Sequence, residues 1–181
     1  GSITGTSGVD VSGTLGGTGL ITTAPGGNID VLLGGELSPG ASVGTLSAAL
    51  SGGAFLSVVD AVTPAGSLSL NYELDTPAAS DRMVTTGGAL VIGLGVLELN
   101  DFDFSTLGGF GPGDYVLFDG DTAVSGTLGP VTSGTVGGFT SDLQFADGGN
   151  DLILHVVPEP GSVAFLLGGL GLLAGRRRRR S

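Results

Sequence analysis

Gly40-Ala41-Ser42-Val43-Gly44 has the Gly-x-Ser-x-Gly spacing of a hydrolytic nucleophile, and aspartates followed by His155 come later in the chain. The chemistry on offer would be acyl transfer, with the serine attacking, a histidine as base and a carboxylate orienting it. Such an elbow has to join a buried strand to a helix, however. Here Pro39 precedes it and a short Gly-bounded strand follows. In a chain with 37 glycines the pattern also arises by chance. Ser42 is therefore not assigned a catalytic role.

The carboxylates offer two further chemistries. Asp101 and Asp103 are expected to share a strand face, Asp119-Gly120-Asp121 to form a turn, and Asp147 to Asp151 resembles one unit of the Gly-Gly-x-Gly-x-Asp calcium repeat. Hard oxygen ligands on turns suit Ca²⁺, but that repeat works in tandem and one partial copy is present. Sugar cleavage would need two carboxyls facing a cleft, and sugar sites usually add aromatic platforms. The chain has no Trp and two Tyr. His155 shares a strand face with Ile153 and Val157, and a lone His without Cys or a second His cannot build a metal site. These residues lead to a reading without enzyme activity, cofactor or metal. A calcium-dependent binding module and, behind it, a polysaccharide-active enzyme stand as the alternatives.

Charge excludes one class of partner. Residues 1–157 hold 16 of the 17 acids and one cation, Arg82; Lys is absent and the other five Arg are Arg176 to Arg180. Phosphate backbones are held by clustered Lys and Arg, so nucleic-acid binding is not expected. Arg82 is expected to pair with Asp75, Asp81 or Glu98. The absence of Cys is compatible with export. The chain opens on Gly1 with no basic-then-apolar leader. We read it as a fragment or processed form whose N-terminal export signal has been lost, with room upstream for whole domains.

The C-terminal stretch is the most informative. Val157-Pro158-Glu159-Pro160 is followed by an uncharged run, 162–175, and then by Arg176, Arg177, Arg178, Arg179 and Arg180. Two prolines end any regular structure arriving from the body. As a helix the run would span about 21 Å at roughly 1.5 Å per residue, short of the ~30 Å hydrocarbon core. Snorkelling Arg side chains and a thinned bilayer would make up the difference. The positive flank belongs on the cytoplasmic side, which places residues 1–157 outside. In motif, apolar run and Arg cluster, in that order, residues 157–181 resemble the PEP-CTERM sorting signal of Gram-negative bacteria. The resemblance implies a membrane-embedded exosortase that recognises Pro158-Glu159-Pro160 and removes the tail. The mature protein would then be at the cell surface or released, commonly in bacteria that make exopolysaccharide.

The elements upstream are expected to be short strands: Val9–Leu15, Ile29–Leu33, Ala54–Val59, Ser67–Leu74, Ala89–Ile92, Val96–Leu99, Tyr115–Phe118, Leu143–Phe145 and Leu152–Val157. In Ser67–Leu74 the apolar residues 68, 70, 72 and 74 alternate with polar ones. Gly-Gly pairs beginning at 16, 34, 52 and 87 suggest a period near 18, as a β-solenoid with a turn per repeat requires. The pairs at 26, 108, 137 and 148 fall off that register. An antiparallel sandwich or jelly roll is the competing architecture. Gly34-Gly-Glu-Leu-Ser-Pro-Gly-Ala-Ser-Val-Gly-Thr-Leu46 resembles the autotransporter-associated β-strand repeat, and Asp81 to Leu90 resembles a following block of such proteins. That resemblance implies right-handed parallel β-helix coils of the kind found in secreted adhesins.

The resulting expectation is an all-β chain. A right-handed parallel β-helix or solenoid occupies 1–156, and a sorting signal with a hydrophobic helix over 162–175 occupies 157–181. The protein is expected to be exported, anchored in the inner membrane until processed, and structural or adhesive at the surface. Its expected partners are an exosortase and, at the surface, exopolysaccharide or other envelope components.

Overall fold

A computed structural model describes residues 1–58, 69–93 and 95–158. The first circuit comprises β1 (Ser2–Thr6), β2 (Val9–Val11) and β3 (Thr14–Gly17). The second is β4 (Gly19–Thr23), β5 (Ile29–Val31) and β6 (Glu36–Pro39), and the third β7 (Thr45–Ala49), β8 (Leu56–Val58) and β9 (Ser69–Thr76). After the two-residue β10 (Ala79–Ser80) come β11 (Arg82–Thr86), β12 (Leu90–Ile92) and β13 (Phe102–Thr106), and then β14 (Gly113–Gly120). The chain finishes with β15 (Ser133–Val136), β16 (Phe139–Ala146) and β17 (Asp151–Val157).

With the short β10 set aside, each strand from β4 to β14 pairs in parallel with the strand three places before it. The ladders run β1-β4-β7-β11-β14, β2-β5-β8-β12 and β3-β6-β9-β13, so the chain visits three sheets in turn. β10 folds back antiparallel on β9. At the far end β17, β16 and β15 add antiparallel to β14 and extend the first sheet to eight strands. The three parallel ladders differ from the pairing of an antiparallel sandwich, and antiparallel strand pairing is confined, among the described residues, to β10 on β9 and to β15–β17.

Side chains alternate as a half-buried strand requires. In β9, Leu70, Tyr72 and Leu74 point inward and are buried, while Asn71 and Glu73 face out. Leu37 and Leu70 are in register on adjacent strands, as are Ile29 and Leu56, and all four are fully buried. One contiguous core results, threaded along the stack. Each such side chain contributes roughly 1.5–3 kcal/mol through burial, so no single circuit carries the fold alone.

Glycine makes the corners between the first and second ladders: Gly8, Gly26-Gly27, Gly52-Gly53 and Gly87-Gly88. A Cβ on Gly27 would stand 2.6 Å from the carbonyl oxygen of Ser7 in the circuit below, and one on Gly88 would strike the Ala54 carbonyl. The Gly-Gly register at 16, 34, 52 and 87 does not mark equivalent places. Gly16-Gly17 lies within β3 and Gly34-Gly35 at the next corner, whereas the off-register pair at 26 sits in the true stack. In the first ladder Ser2 pairs with Leu20, Leu20 with Ser47 and Thr45 with Arg82, giving steps of 18, 27 and 37. Strand spacing fixes the rise between circuits but leaves loop length free, so no constant sequence period exists.

Other expectations also change. Val9–Leu15 is two strands around a corner at Ser12-Gly13, and Val96–Leu99 forms an isolated bridge at Leu97 before a 3₁₀ turn, Leu99–Asp101. Val59, Ser67 and Leu68 of the expected strands, Glu159 and Pro160, the expected helix 162–175 and Arg176 to Arg180 lie outside the described residues. Among the described residues no helix is long and apolar enough to cross a membrane.

Candidate functional site

Two places in the fold bear on function: the strand that leads into the Pro-Glu-Pro motif, and the corner that holds Ser42. β17 ends at Val157 because Pro158 has no N–H with which to continue a ladder. The strand is internal, with β14 on one side and β16 on the other. Val156 pairs with Gly113 of β14 and Ser141 of β16 and is buried, while Val157 pairs with Thr140 and is half-buried. Pro158 is exposed. Of the four expected motif residues, Val157 is thus the last rung of a sheet and Pro158 stands at its rim, while Glu159 and Pro160 lie outside the described residues.

Ser42 sits on the corner between β6 and β7, beside a cavity of about 340 Å³. Ser38, Ser42, Glu73, Asp81, Asp103 and Ser105 line it. The corner is held by Asp81, which is 2% exposed. Its Oδ1 accepts the Gly44 N–H at 2.8 Å and its Oδ2 accepts the Glu73 N–H at 2.8 Å. Burial pushes its carboxyl above the usual carboxylate value, against the pull of those two N–H donors. Burial, and secondarily the Asp81 charge, drives the Tyr72 hydroxyl well above the ordinary phenol value. That hydroxyl is buried without a hydrogen-bond partner, whereas Tyr115 Oη accepts from Gly111 N–H and donates to Gly111 O.

His155 takes no part in this corner. It binds Asp114 through Nδ1 on the antiparallel end of the sheet, and Asp114 and Asp142 flank it on the neighbouring strands. The Asp114 hydrogen bond is the main cause of a pKa raised above the usual histidine value. Neither His155 nor Asp114 lines the cavity beside Ser42, so the serine, acid and histidine suggested by chain order are not brought together.

The acids considered as calcium ligands are engaged elsewhere. Asp101 and Asp103 do not share a face: Asp101 is buried in the 3₁₀ turn, where its Oδ2 accepts the Glu98 N–H, and Asp103 is exposed on β13. Asp121 accepts the Gly87 N–H through both oxygens, and Asp151 accepts the Gly120 N–H. Asp75 accepts the Gly109 N–H and Glu98 the Val131 N–H. These donors lie 31 to 37 residues from their acceptors, as does Gly44 from Asp81, which is the span of one later circuit. Asp75, Asp81, Glu98 and Asp121 act as staples from one circuit to the next, whereas Asp151 ties the start of β17 to the end of β14. Among the described residues no three His, Cys, Asp or Glu gather in a way that could hold a metal ion. Arg82 pairs with Asp119 at 3.2 Å, not with Asp75, Asp81 or Glu98, because β14 lies beside β11. Sequence reading missed the staples because their signal is an acid one variable-length circuit away from a corner N–H.

Residues 156–180 match the family model of the PEP-CTERM protein-sorting motif. No curated protein and no solved structure is matched by the chain. The chain thus carries a sorting signal for exosortase processing, of the kind found on proteins exported to the cell envelope or surface, and that signal begins within β17.

Proposed function

We propose that this is an exported structural or adhesive protein of the cell surface or extracellular matrix, without enzymatic activity of its own. An exosortase processes it at Val157-Pro158-Glu159-Pro160. The observation that carries this reading is the sorting motif over 156–180, set where the folded sheet ends. Before processing, the run 162–175 anchors the protein in the inner membrane with Arg176 to Arg180 on the cytoplasmic side.

The body is read as a right-handed parallel β-helix related to the autotransporter-associated repeat. Support comes from the three parallel ladders, each built of every third strand, and from the glycine corners stacked between them. Neighbouring circuits bury each other's apolar faces, as in repeat architectures generally. The acidic body repels nucleic acid, and the partners at the surface are exopolysaccharide or other envelope components.

The deciding experiment is the intact mass of the full chain expressed in an exosortase-containing host and in the same host lacking that enzyme. Loss of the residues after the Pro158–Pro160 region only in the first host is the expected result. An uncleaved tail in both would remove the sorting function from this reading.

A further inference from the structure

The two ends of the strand stack are finished differently. At the far end, residues 125–131 bond to the last circuit: Ser125 bridges to Val91 and Leu128 to Leu97, and the Ile92 N–H donates to Ser125 O. Leu90, Ile92 and Leu97 are buried there. At the near end β1, β2 and β3 pair on one side only among the described residues, with β4, β5 and β6. Their inward side chains continue columns of the core, Ile3 on Ile21, Val9 on Ile29 and Leu15 on Leu37. Ile21, Ile29 and Leu37 are at most 3% exposed, whereas Ile3 is 46% exposed and Val9 and Leu15 are half-buried. The core therefore ends on an open apolar layer flanked by three strand edges. Such edges template pairing with another chain unless charge, proline or a covering segment blunts them, and stacked repeats need a polar cap at their ends.

Charge says which chain fits there. Residues 1–157 hold 16 acids, and copies of such a body repel one another. The first circuit, residues 2–17, holds one of them, Asp10, so repulsion between copies is weakest at this end. A two-fold axis through β1 sets that strand antiparallel to its own copy. The same axis reverses strand order, so β2 meets the partner's β3. Asp10 then faces the uncharged run Thr14–Gly17 and not a second Asp10.

We propose that two copies of this chain dock through their first circuits, with β1 against β1 and the apolar layers at Ile3, Val9 and Leu15 covering each other. The contact is isologous, so it closes at two copies.

Light scattering on the full chain in detergent micelles should give the protein mass of two copies. Ile3→Lys places a cation in the apolar layer and should leave single copies with an unchanged circular-dichroism spectrum. Val131→Lys, at an equally exposed apolar residue of the far end, should stay dimeric. The chain has no Cys, so single thiols can be introduced without background. Thr4→Cys lies on β1 and Thr135→Cys on β15, the opposite edge of the same sheet. A short bismaleimide should join copies of the first about tenfold faster, since the dimer holds those thiols at high effective concentration. Single copies of the parent, a dimer that survives Ile3→Lys or is lost in Val131→Lys, or linking through Thr135→Cys at the same rate or faster would each overturn the proposal. Should Ile3→Lys unfold, the thiol pair still decides.

Discussion

Asp81 and Gly44 lie 37 residues apart in the chain and are joined by a 2.8 Å hydrogen bond, in which a buried carboxylate receives a corner N–H. The other oxygen of Asp81 holds the Glu73 N–H, so one side chain ties the β6–β7 corner to β9. Asp81→Asn presents an N–H where one of these donors needs an acceptor. We expect it to cost about 1–3 kcal/mol, the range for leaving a buried polar group unsatisfied. Urea unfolding checks this. Asp121→Asn, at an exposed staple, should cost clearly less, and equal losses would contradict the account.

Tyr72 supplies the opposite case. Its hydroxyl is buried without a partner, so Tyr72→Phe removes a desolvated polar group and keeps the ring against Phe102 and Phe118. Stability should be unchanged or rise by about 1 kcal/mol. Tyr115→Phe, which discards satisfied bonds to Gly111, should lower it. A clear loss in Tyr72→Phe would mean the hydroxyl has found a partner.

Acid should affect part of this fold in an unusual direction. Burial raises the carboxyls of Asp30, Asp81 and Asp151 above the ordinary aspartate value of 3.8, and the parallel-ladder neighbour Asp10 adds repulsion at Asp30. Each binds its proton more tightly folded than unfolded. Their contribution to stability therefore falls as pH rises through the window between 3.8 and the raised value, and stays lower above it. Acidification from neutral pH recovers it. Asp10→Ser should raise stability at pH 7 by about 0.5 kcal/mol, with less effect in high salt. That gain should shrink on acidification, and one that is independent of both pH and salt would not come from this pair.

His155 moves the other way. Its folded pKa lies above 6.5 because of Asp114, so the pair's contribution is full below 6.5 and is lost as pH rises through the folded value. Both side chains are well exposed, and the effect on stability is small. An NMR titration of the single histidine should show a raised pKa that drops in Asp114→Asn. No change in that variant would contradict the assignment.

Fold class was legible because inward residues such as Leu70, Tyr72 and Leu74 alternate cleanly, and β9, β14, β16 and β17 stood out by composition. Strands β1, β4, β7 and β15 did not, since runs such as Ser2-Ile-Thr-Gly-Thr6 and Ser133-Gly-Thr-Val136 carry few apolar side chains and gain their order from neighbours. The circuit length was misread because equal Gly-Gly spacing mixed a pair inside β3 with two kinds of corner. The sorting motif was legible because it depends on local order of residue types. The Ser42 corner was not, because Asp81 reaches it only through a full circuit of chain.

The position of β17 also has a mechanical consequence. Ladder bonds lie perpendicular to the strands they join, so tension drawn through the C-terminus acts along β17 and across its bonds to β14 and β16 on both flanks. The bonds are loaded together in shear and do not open one after another as in a zipper. A body held from this end meets flow or traction with its doubly supported strand.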